Sequence, residues 1–215
     1  IIPISMTKII SFISRKGGTG KTTNAINQAT MLNSLGYMVL LVETDTNYTL
    51  NTLRKMEVYK SGAKQDTVYE IMGSEDDRVA EVLESMKPKG KYDYIIVDSA
   101  GKTTDEGIKK LCLISDAAIV PSSLTQNDLI VTYQTIEDLS PAKALNVNLQ
   151  ILVLPNRIHS LTKINTVFDA MDNLDAEILE ITVPQKNLYV NYSTILAEKE
   201  YHQIAKTIIN KLGNG

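Results

Sequence analysis

The chain has 215 residues, 43% of them hydrophobic, and a formal net charge of −3. This length predicts one well-packed domain, because two independent cores would need a longer chain. The acidic balance disfavours a dedicated nucleic-acid domain, so any DNA binding must come from a local, salt-sensitive patch. The single cysteine, Cys112, excludes an intrachain disulfide and suggests a reducing cytoplasm. No apolar run approaches the ~20 residues of a membrane span.

The first five residues stand apart from the rest of the chain. Residues 1–5 lack a basic region and a long apolar core, so they do not resemble a signal peptide. We expect Met6 to be the natural start, residues 1–5 to be a cloning remnant, and residues 6–215 to form a single domain.

Apolar runs of strand length alternate with amphipathic segments along the chain. Strands are predicted at residues 8–13, 38–43, 93–98, 117–120, 149–154 and 177–182. Helices are predicted at about residues 22–35, 67–72, 76–86, 104–113, 126–140, 162–174 and 199–212. Near-continuous apolar strands are typical of a parallel sheet that is buried on both faces. The pattern therefore predicts an α/β fold with one mostly parallel, twisted sheet and helices on both faces.

A glycine-rich turn lies between the first predicted strand and the first predicted helix. It reads Lys16-Gly17-Gly18-Thr19-Gly20-Lys21-Thr22-Thr23. The glycines let successive backbone N–H groups point at one anion, and the helix start adds its own unpaired N–H groups. Lys21 is placed to reach the β- and γ-phosphates, and the Thr22 hydroxyl to ligate magnesium. The stretch predicts a P-loop that binds ATP and Mg²⁺, in a deviant Walker A form, because Arg15 stands where the usual first glycine would fall.

Carboxylates follow two of the predicted strands. Glu43 and Asp45 come after the second strand, and Asp98 closes the strand at 93–98. Ligands of open parallel sheets lie beyond the carboxyl ends of the strands, so these side chains should face the phosphate loop. Asp98 has the position of a Walker B aspartate, which holds magnesium through water. Turn formation by Glu43 and Asp45, and helix capping by Asp98, are the alternatives.

The phosphate loop, with its extra lysine at position 16, resembles that of the ParA/MinD family of deviant Walker ATPases. The segment 185–196 is similar to the small ParF-like members that partition plasmids. The family carries D-x-D-P-Q where this chain has E-T-D-T-N. The resemblance implies that Asp45 positions or activates the attacking water, and that Glu43 stands in the second shell of magnesium. It also implies that Lys16 takes part in catalysis by reaching the phosphates of the other subunit in a dimer.

The resemblance extends to the base of the nucleotide and to the dimer surface. It implies that Asn156 and Arg157 contact the adenine edge and that Pro184 flanks the base from the other side. A simple turn is the alternative for the Asn-Arg pair. Asp128, at the start of a helix, could cap that helix or contact a partner subunit.

The function implied is that of an ATPase which dimerises with ATP, or forms higher polymers, and drives plasmid or chromosome partition. Its implied partners are nonspecific DNA in the ATP state and a centromere-binding ParB- or ParG-like protein. Its implied place is the cytoplasm, on the nucleoid when ATP is bound. The alternatives are a MinD-like membrane-associated positioning ATPase, which the few lysines of the last helix disfavour, and a metabolic ATP-dependent ligase, which Lys16 disfavours.

A DNA-binding patch would have to gather basic side chains on one face. The expected members lie in the C-terminal third: Lys163, Lys186, Lys199, Lys206 and Lys211. Each of them could instead be an ordinary solubilising lysine.

Overall fold

The computed structural model describes residues 7–45, 47–62, 68–101, 105–186 and 192–213. Met6, the expected start, lies outside these residues. So do Thr46 and part of the segment 185–196, which resembles the ParF-like proteins. The strands of the described part are β1 (Lys8–Phe12), β2 (Val39–Glu43), β3 (Glu70–Gly73), β4 (Tyr94–Asp98), β5 (Ala117–Ser122), β6 (Gln150–Ile158), β7 (Glu177–Ile178) and β8 (Val183–Pro184). The helices are α1 (Lys21–Ser34), α2 (Thr49–Ser61), α3 (Val79–Met86), α4 (Asp105–Ile114), α5 (Gln126–Leu145), α6 (Ile164–Met171) and α7 (Tyr201–Lys211).

The strands form one parallel sheet in the order β3-β2-β4-β1-β5-β6-β7, and β8 pairs with the end of β6. Strands β2, β4 and β5 are buried along their whole length, as expected for a sheet covered on both sides. The predicted α/β fold, with its mostly parallel sheet, is confirmed.

Two apolar cores lie on opposite faces of the sheet. Side chains alternate along a strand, so Ile10 and Phe12 of β1 enter one core while Ile9 enters the other. The first core includes residues of α1 and α7, and the second includes residues of α3, α4, α5 and α6. This packing confirms the predicted helices on both faces. Among the described residues, no helix is both long and apolar enough to cross a membrane.

Three element predictions were wrong. The predicted helix at 67–72 is instead the edge strand β3, because its backbone pairs with β2 from Leu40 to Glu43. The predicted strand at 177–182 is split into the two-residue strands β7 and β8, both on β6. Helix α2 was not predicted, because it buries only Leu50 and Arg54 and so shows little apolar periodicity.

Candidate nucleotide-binding site

The candidate site lies at the carboxyl ends of β1, β2 and β4. The parallel register places Asp98 beside Phe12 of β1 on one side and beside Glu43 of β2 on the other. The glycine-rich turn leaves the end of β1 and leads directly into α1. The sheet therefore brings the predicted phosphate loop and the predicted carboxylates to one edge.

The backbone of the phosphate loop requires glycine at Gly20. This residue precedes α1 with φ 100°, in the left-handed region, and as glycine it has no side chain that could cap the helix start. A Cβ built on Gly20 would lie 2.4 Å from Nδ2 of Asn156. The first N–H groups of α1 consequently have no side-chain acceptor at the cap position and are available to an anion such as a phosphate.

Lys21 lies at the first turn of α1 and points back along the loop. Its Nζ donates a hydrogen bond to the backbone carbonyl of Lys16 at 3.0 Å. Burial lowers the pKa of Lys21, and the nearby Asp98 carboxylate opposes that shift. A buried ammonium that is held by a backbone carbonyl is suited to take up phosphate oxygens.

Asp98 is a buried carboxylate of the site. Burial raises its pKa to about 7, a hydrogen bond from Thr22 and the charge of Lys21 oppose this rise, and the charges of Glu43 and Asp45 add to it. Its Oδ1 atom is buried and has no hydrogen-bond partner within the part of the chain that the structure describes.

These observations fit a magnesium site. A hard cation would meet the unpartnered oxygen of Asp98 and the Thr22 hydroxyl, and it would favour the ionised carboxylate. Within the described part of the chain, no group of three or more His, Cys, Asp or Glu side chains could hold a metal. Mg²⁺ is usually held by one or two protein groups together with substrate phosphates.

Asp45 lies on the loop after β2, exposed to solvent. Its Oδ1 accepts hydrogen bonds from the backbone N–H and from Nδ2 of Asn47, each at 3.1 Å. The predicted water-positioning carboxylate is thus held by contacts with Asn47, two positions further along the chain.

Glu43 is buried, and both of its carboxylate oxygens are engaged by the start of α2. Oε1 accepts from the backbone N–H of Thr49 at 3.1 Å and from its hydroxyl at 3.3 Å. Oε2 accepts from the backbone N–H of Leu50 at 3.2 Å. The place of Glu43 in the magnesium surroundings stays a prediction, and helix contacts are what the structure shows for this side chain.

Lys16 forms an ion pair within its own chain. Its Nζ lies 2.7 Å from Oδ1 of Asp128 in the first turn of α5. The other oxygen of Asp128 accepts from the Ser123 hydroxyl at 2.6 Å. Although burial raises the pKa of Asp128, hydrogen bonds from Lys16 and Ser123 hold it below its usual value. Helix α5 is capped by Thr125, whose hydroxyl accepts from the N–H of Asp128, so capping by the Asp128 side chain was the wrong alternative.

The residues predicted to contact adenine brace the phosphate loop. Nδ2 of Asn156 donates to the carbonyl of Thr19 at 2.7 Å, and Nη2 of Arg157 donates to the carbonyl of Gly18 at 2.6 Å. Pro184 lies on β8, where it pairs with Ile158 of β6. The structure thus brings Asn156 and Arg157 next to the phosphate loop, and the contact of all three residues with the base stays a prediction.

The sequence did not mark Thr44 as a site residue, and the structure gives it contacts at the site. Its hydroxyl accepts from the N–H of Ala100 at 2.8 Å and donates to Oδ1 of Asp76 at 3.2 Å. Thr44 therefore ties the loop after β2 to the loop after β4. No sequence pattern marked this contact, because Thr44 and Ala100 are 56 positions apart.

Comparison with known proteins agrees with this geometry. The family described as VirC1 protein matches residues 7–195. The chain is 25% identical over 206 residues to protein virC1 of Rhizobium rhizogenes, and the match covers 94% of this chain and 85% of that protein.

Solved structures share the fold. One is cobyrinic acid a,c-diamide synthase from Mycobacterium smegmatis with bound ADP and magnesium, at TM-score 0.72 and 17% identity over 98% of this chain and 97% of that chain. Another is a plasmid partition protein from Borrelia burgdorferi, at TM-score 0.66 and 22% identity over 96% and 99% of the two chains. At these identities the likeness shows the fold alone.

The family match spans most of the chain, and the structure places the glycine-rich turn at the carboxyl ends of a parallel sheet, as the sequence pattern predicted. The chain therefore belongs to the VirC1 protein family, and it shares its fold with a plasmid partition protein.

Proposed function

We propose that this protein binds and hydrolyses ATP with Mg²⁺ and uses an ATP-dependent homodimer in DNA partition. The observation that carries the proposal is the buried Oδ1 of Asp98, which has no hydrogen-bond partner among the described residues and lies beside Lys21 in a phosphate loop that also holds Lys16. A structural carboxylate would be expected to find a donor, whereas a magnesium-binding one needs an open oxygen.

The phosphate loop supplies the nucleotide contacts. Backbone N–H groups of residues 17–23 surround the phosphates, and Lys21 neutralises the β- and γ-phosphate oxygens. Thr22 and, through water, Asp98 would hold magnesium, which would neutralise charge on the phosphates. Asp45 orients the attacking water. A relative solved with bound ADP and magnesium on the same fold supports these ligands.

The proposed dimer rests on the position of Lys16 within the phosphate loop. A second cation from the partner subunit would stabilise charge on the transferred phosphoryl group, as cations do in other phosphoryl transfers. To act in this way Lys16 must leave Asp128, which holds it within one chain. ATP then controls dimerisation because the nucleotide forms part of the interface.

The proposed DNA contacts come from the C-terminal third of the chain. Lys163, Lys199 and Lys206 are exposed there, while Lys186 and Lys211 are paired with glutamates. A dimer doubles this modest patch, so binding should be sequence-independent, dependent on ATP, and strongly weakened by salt. We propose that a centromere-binding protein stimulates hydrolysis and that the ATP state associates with the nucleoid. The plasmid partition protein of similar fold supports a role in partition.

Membrane positioning by the last helix is less well supported. Tyr201, Ile204 and Ile208, which would form the membrane-facing side of α7, are buried in the core. The helix is docked on the domain through its apolar face, which is therefore not available to lipid.

The test is ATP turnover measured alone, with random duplex DNA and with anionic liposomes. We expect slow turnover that requires Mg²⁺, and DNA binding that appears with ATP and not with ADP. Absence of turnover would overturn the ATPase proposal, and stimulation by liposomes alone would replace partition with membrane positioning.

A further inference from the structure

We infer that Glu43 is a positioning residue: by anchoring the start of α2 it fixes the loop that carries Asp45. This inference rests on the proposed function, since it assigns a role in ATP hydrolysis. It differs from the second-shell magnesium role that the sequence suggested for the same residue.

Within the described part of the chain, the residue at the N-cap position of helix α2 does not cap it. The residue before it, Tyr48, has φ 43° and makes no capping hydrogen bond through its side chain. The first N–H groups of a helix have no partner within the helix, so another group must satisfy them. Glu43 does this from the end of β2, with one oxygen on Thr49 and the other on Leu50. Its negative charge also suits the positive end of the helix dipole.

The other end of the loop is fixed at the neighbouring strand. The backbone N–H of Thr44 donates to the carbonyl of Asp98 at 3.1 Å, and its hydroxyl accepts from Ala100. Residues 43 and 44 are therefore held to β4, and residues 49 and 50 are held to Glu43. The chain is therefore held by hydrogen bonds both before and after Asp45, and this limits how far the Asp45 carboxylate can move.

The length of the glutamate side chain matters for this contact. An aspartate at position 43 would be shorter by one carbon–carbon bond, about 1.5 Å. Contacts of 3.1 and 3.2 Å would then stretch beyond hydrogen-bond distance. Glutamine keeps the reach and one acceptor oxygen, so it would preserve one of the two backbone contacts.

The two roles of Glu43 predict opposite rankings of Glu43→Asp and Glu43→Gln. For an anchor, Glu43→Asp is the more damaging change. Its kcat should fall by roughly tenfold to a hundredfold, because a shift of about 1 Å at a catalytic group can cost that much. The KM for ATP and the Mg²⁺ concentration for half-maximal rate should not change. Glu43→Gln should lose less activity.

A magnesium role gives the reverse order. Glu43→Asp would keep the carboxylate and its activity, and Glu43→Gln would raise the Mg²⁺ requirement. Either of these two results overturns the inference. The matched control is Glu81→Asp, the same change in the first turn of helix α3, where the side chain is exposed. It should leave kcat unchanged.

Hydrogen exchange separates this inference from the proposed function. In the protein without nucleotide, the amides of Thr49 and Leu50 should exchange fastest in Glu43→Asp, less fast in Glu43→Gln and slowest in the wild type. Equal exchange in all three proteins shows that Glu43 does not anchor α2 and overturns the inference, whether or not ATP is hydrolysed. Absence of wild-type turnover with the expected exchange order overturns the ATPase proposal and leaves the anchor confirmed.

Discussion

The ion pair between Lys16 and Asp128 should oppose dimerisation. The two charged atoms lie 2.7 Å apart, and the side chains are 38% and 11% exposed. Under the proposed function Lys16 has to reach the nucleotide of the partner subunit, so each subunit must give up this pair on dimerising. Replacing Asp128 with asparagine removes the opposing charge and keeps the shape of the side chain.

The size of the effect follows from the exposure of the pair. A partly exposed ion pair contributes up to about 1 kcal/mol. Two such pairs are lost per dimer, so Asp128→Asn should favour the dimer by up to about 2 kcal/mol. Since about 1.4 kcal/mol corresponds to a tenfold change in Kd, the dimer should become tighter by up to roughly 25-fold. The isolated subunit loses the same pair, and its Tm should fall by roughly 2–4 °C.

Sedimentation velocity with a non-hydrolysable ATP analogue and Mg²⁺ measures the dimer Kd directly. The matched control is Asp138→Asn, which makes the same change on the same helix. Asp138 is paired with Arg15, the neighbour of Lys16 in the loop. We expect Asp128→Asn to dimerise more tightly than both the wild type and this control. Equal Kd values for the two variants would refute the reasoning, because the pair with Lys16 would then not restrain the dimer.

Three further predictions concern the site itself. Lys21→Ala should weaken ATP binding by roughly tenfold to a hundredfold, the usual loss for charged hydrogen bonds; titration of a fluorescent ATP analogue at wild-type affinity would contradict it. Asp45→Ala should still bind ATP and dimerise, while single-turnover hydrolysis slows by about two to four orders of magnitude; an unchanged rate would remove Asp45 from catalysis. Asp98 has a pKa of about 7 in the folded protein, against an ordinary 3.8. Between these two values the folded protein without ligand keeps a proton that the unfolded chain releases. The contribution of Asp98 to stability therefore falls as pH rises from about 4 to 7. Mg²⁺ requires the ionised carboxylate, so Mg²⁺–nucleotide affinity should rise as pH rises through about 7; calorimetry at about pH 6 and about pH 8 should show this, and Asp98→Asn should remove the difference.

Local sequence was sufficient for the features that neighbouring residues decide. The run of β-branched residues before the phosphate loop, the glycines within it and the apolar periodicity of α1 all lie within about 30 consecutive positions. Backbone preference and burial act over such distances, so they predicted the strand, the turn and the helix together. The same local signals placed Asp98 at the end of a buried strand, and the structure has it there.

Tertiary structure alone decided which distant side chains meet around the loop. Asn156 reaches Thr19 across 137 positions, and Lys16 reaches Asp128 across 112. The edge strand β3 was also beyond local prediction, since its four residues gain their strand conformation by pairing with β2. Such contacts depend on strand order and register. Both are decided when the helices pack against the two faces of the sheet and bury them. No short stretch of sequence records that order, because packing free energy is a property of the whole chain.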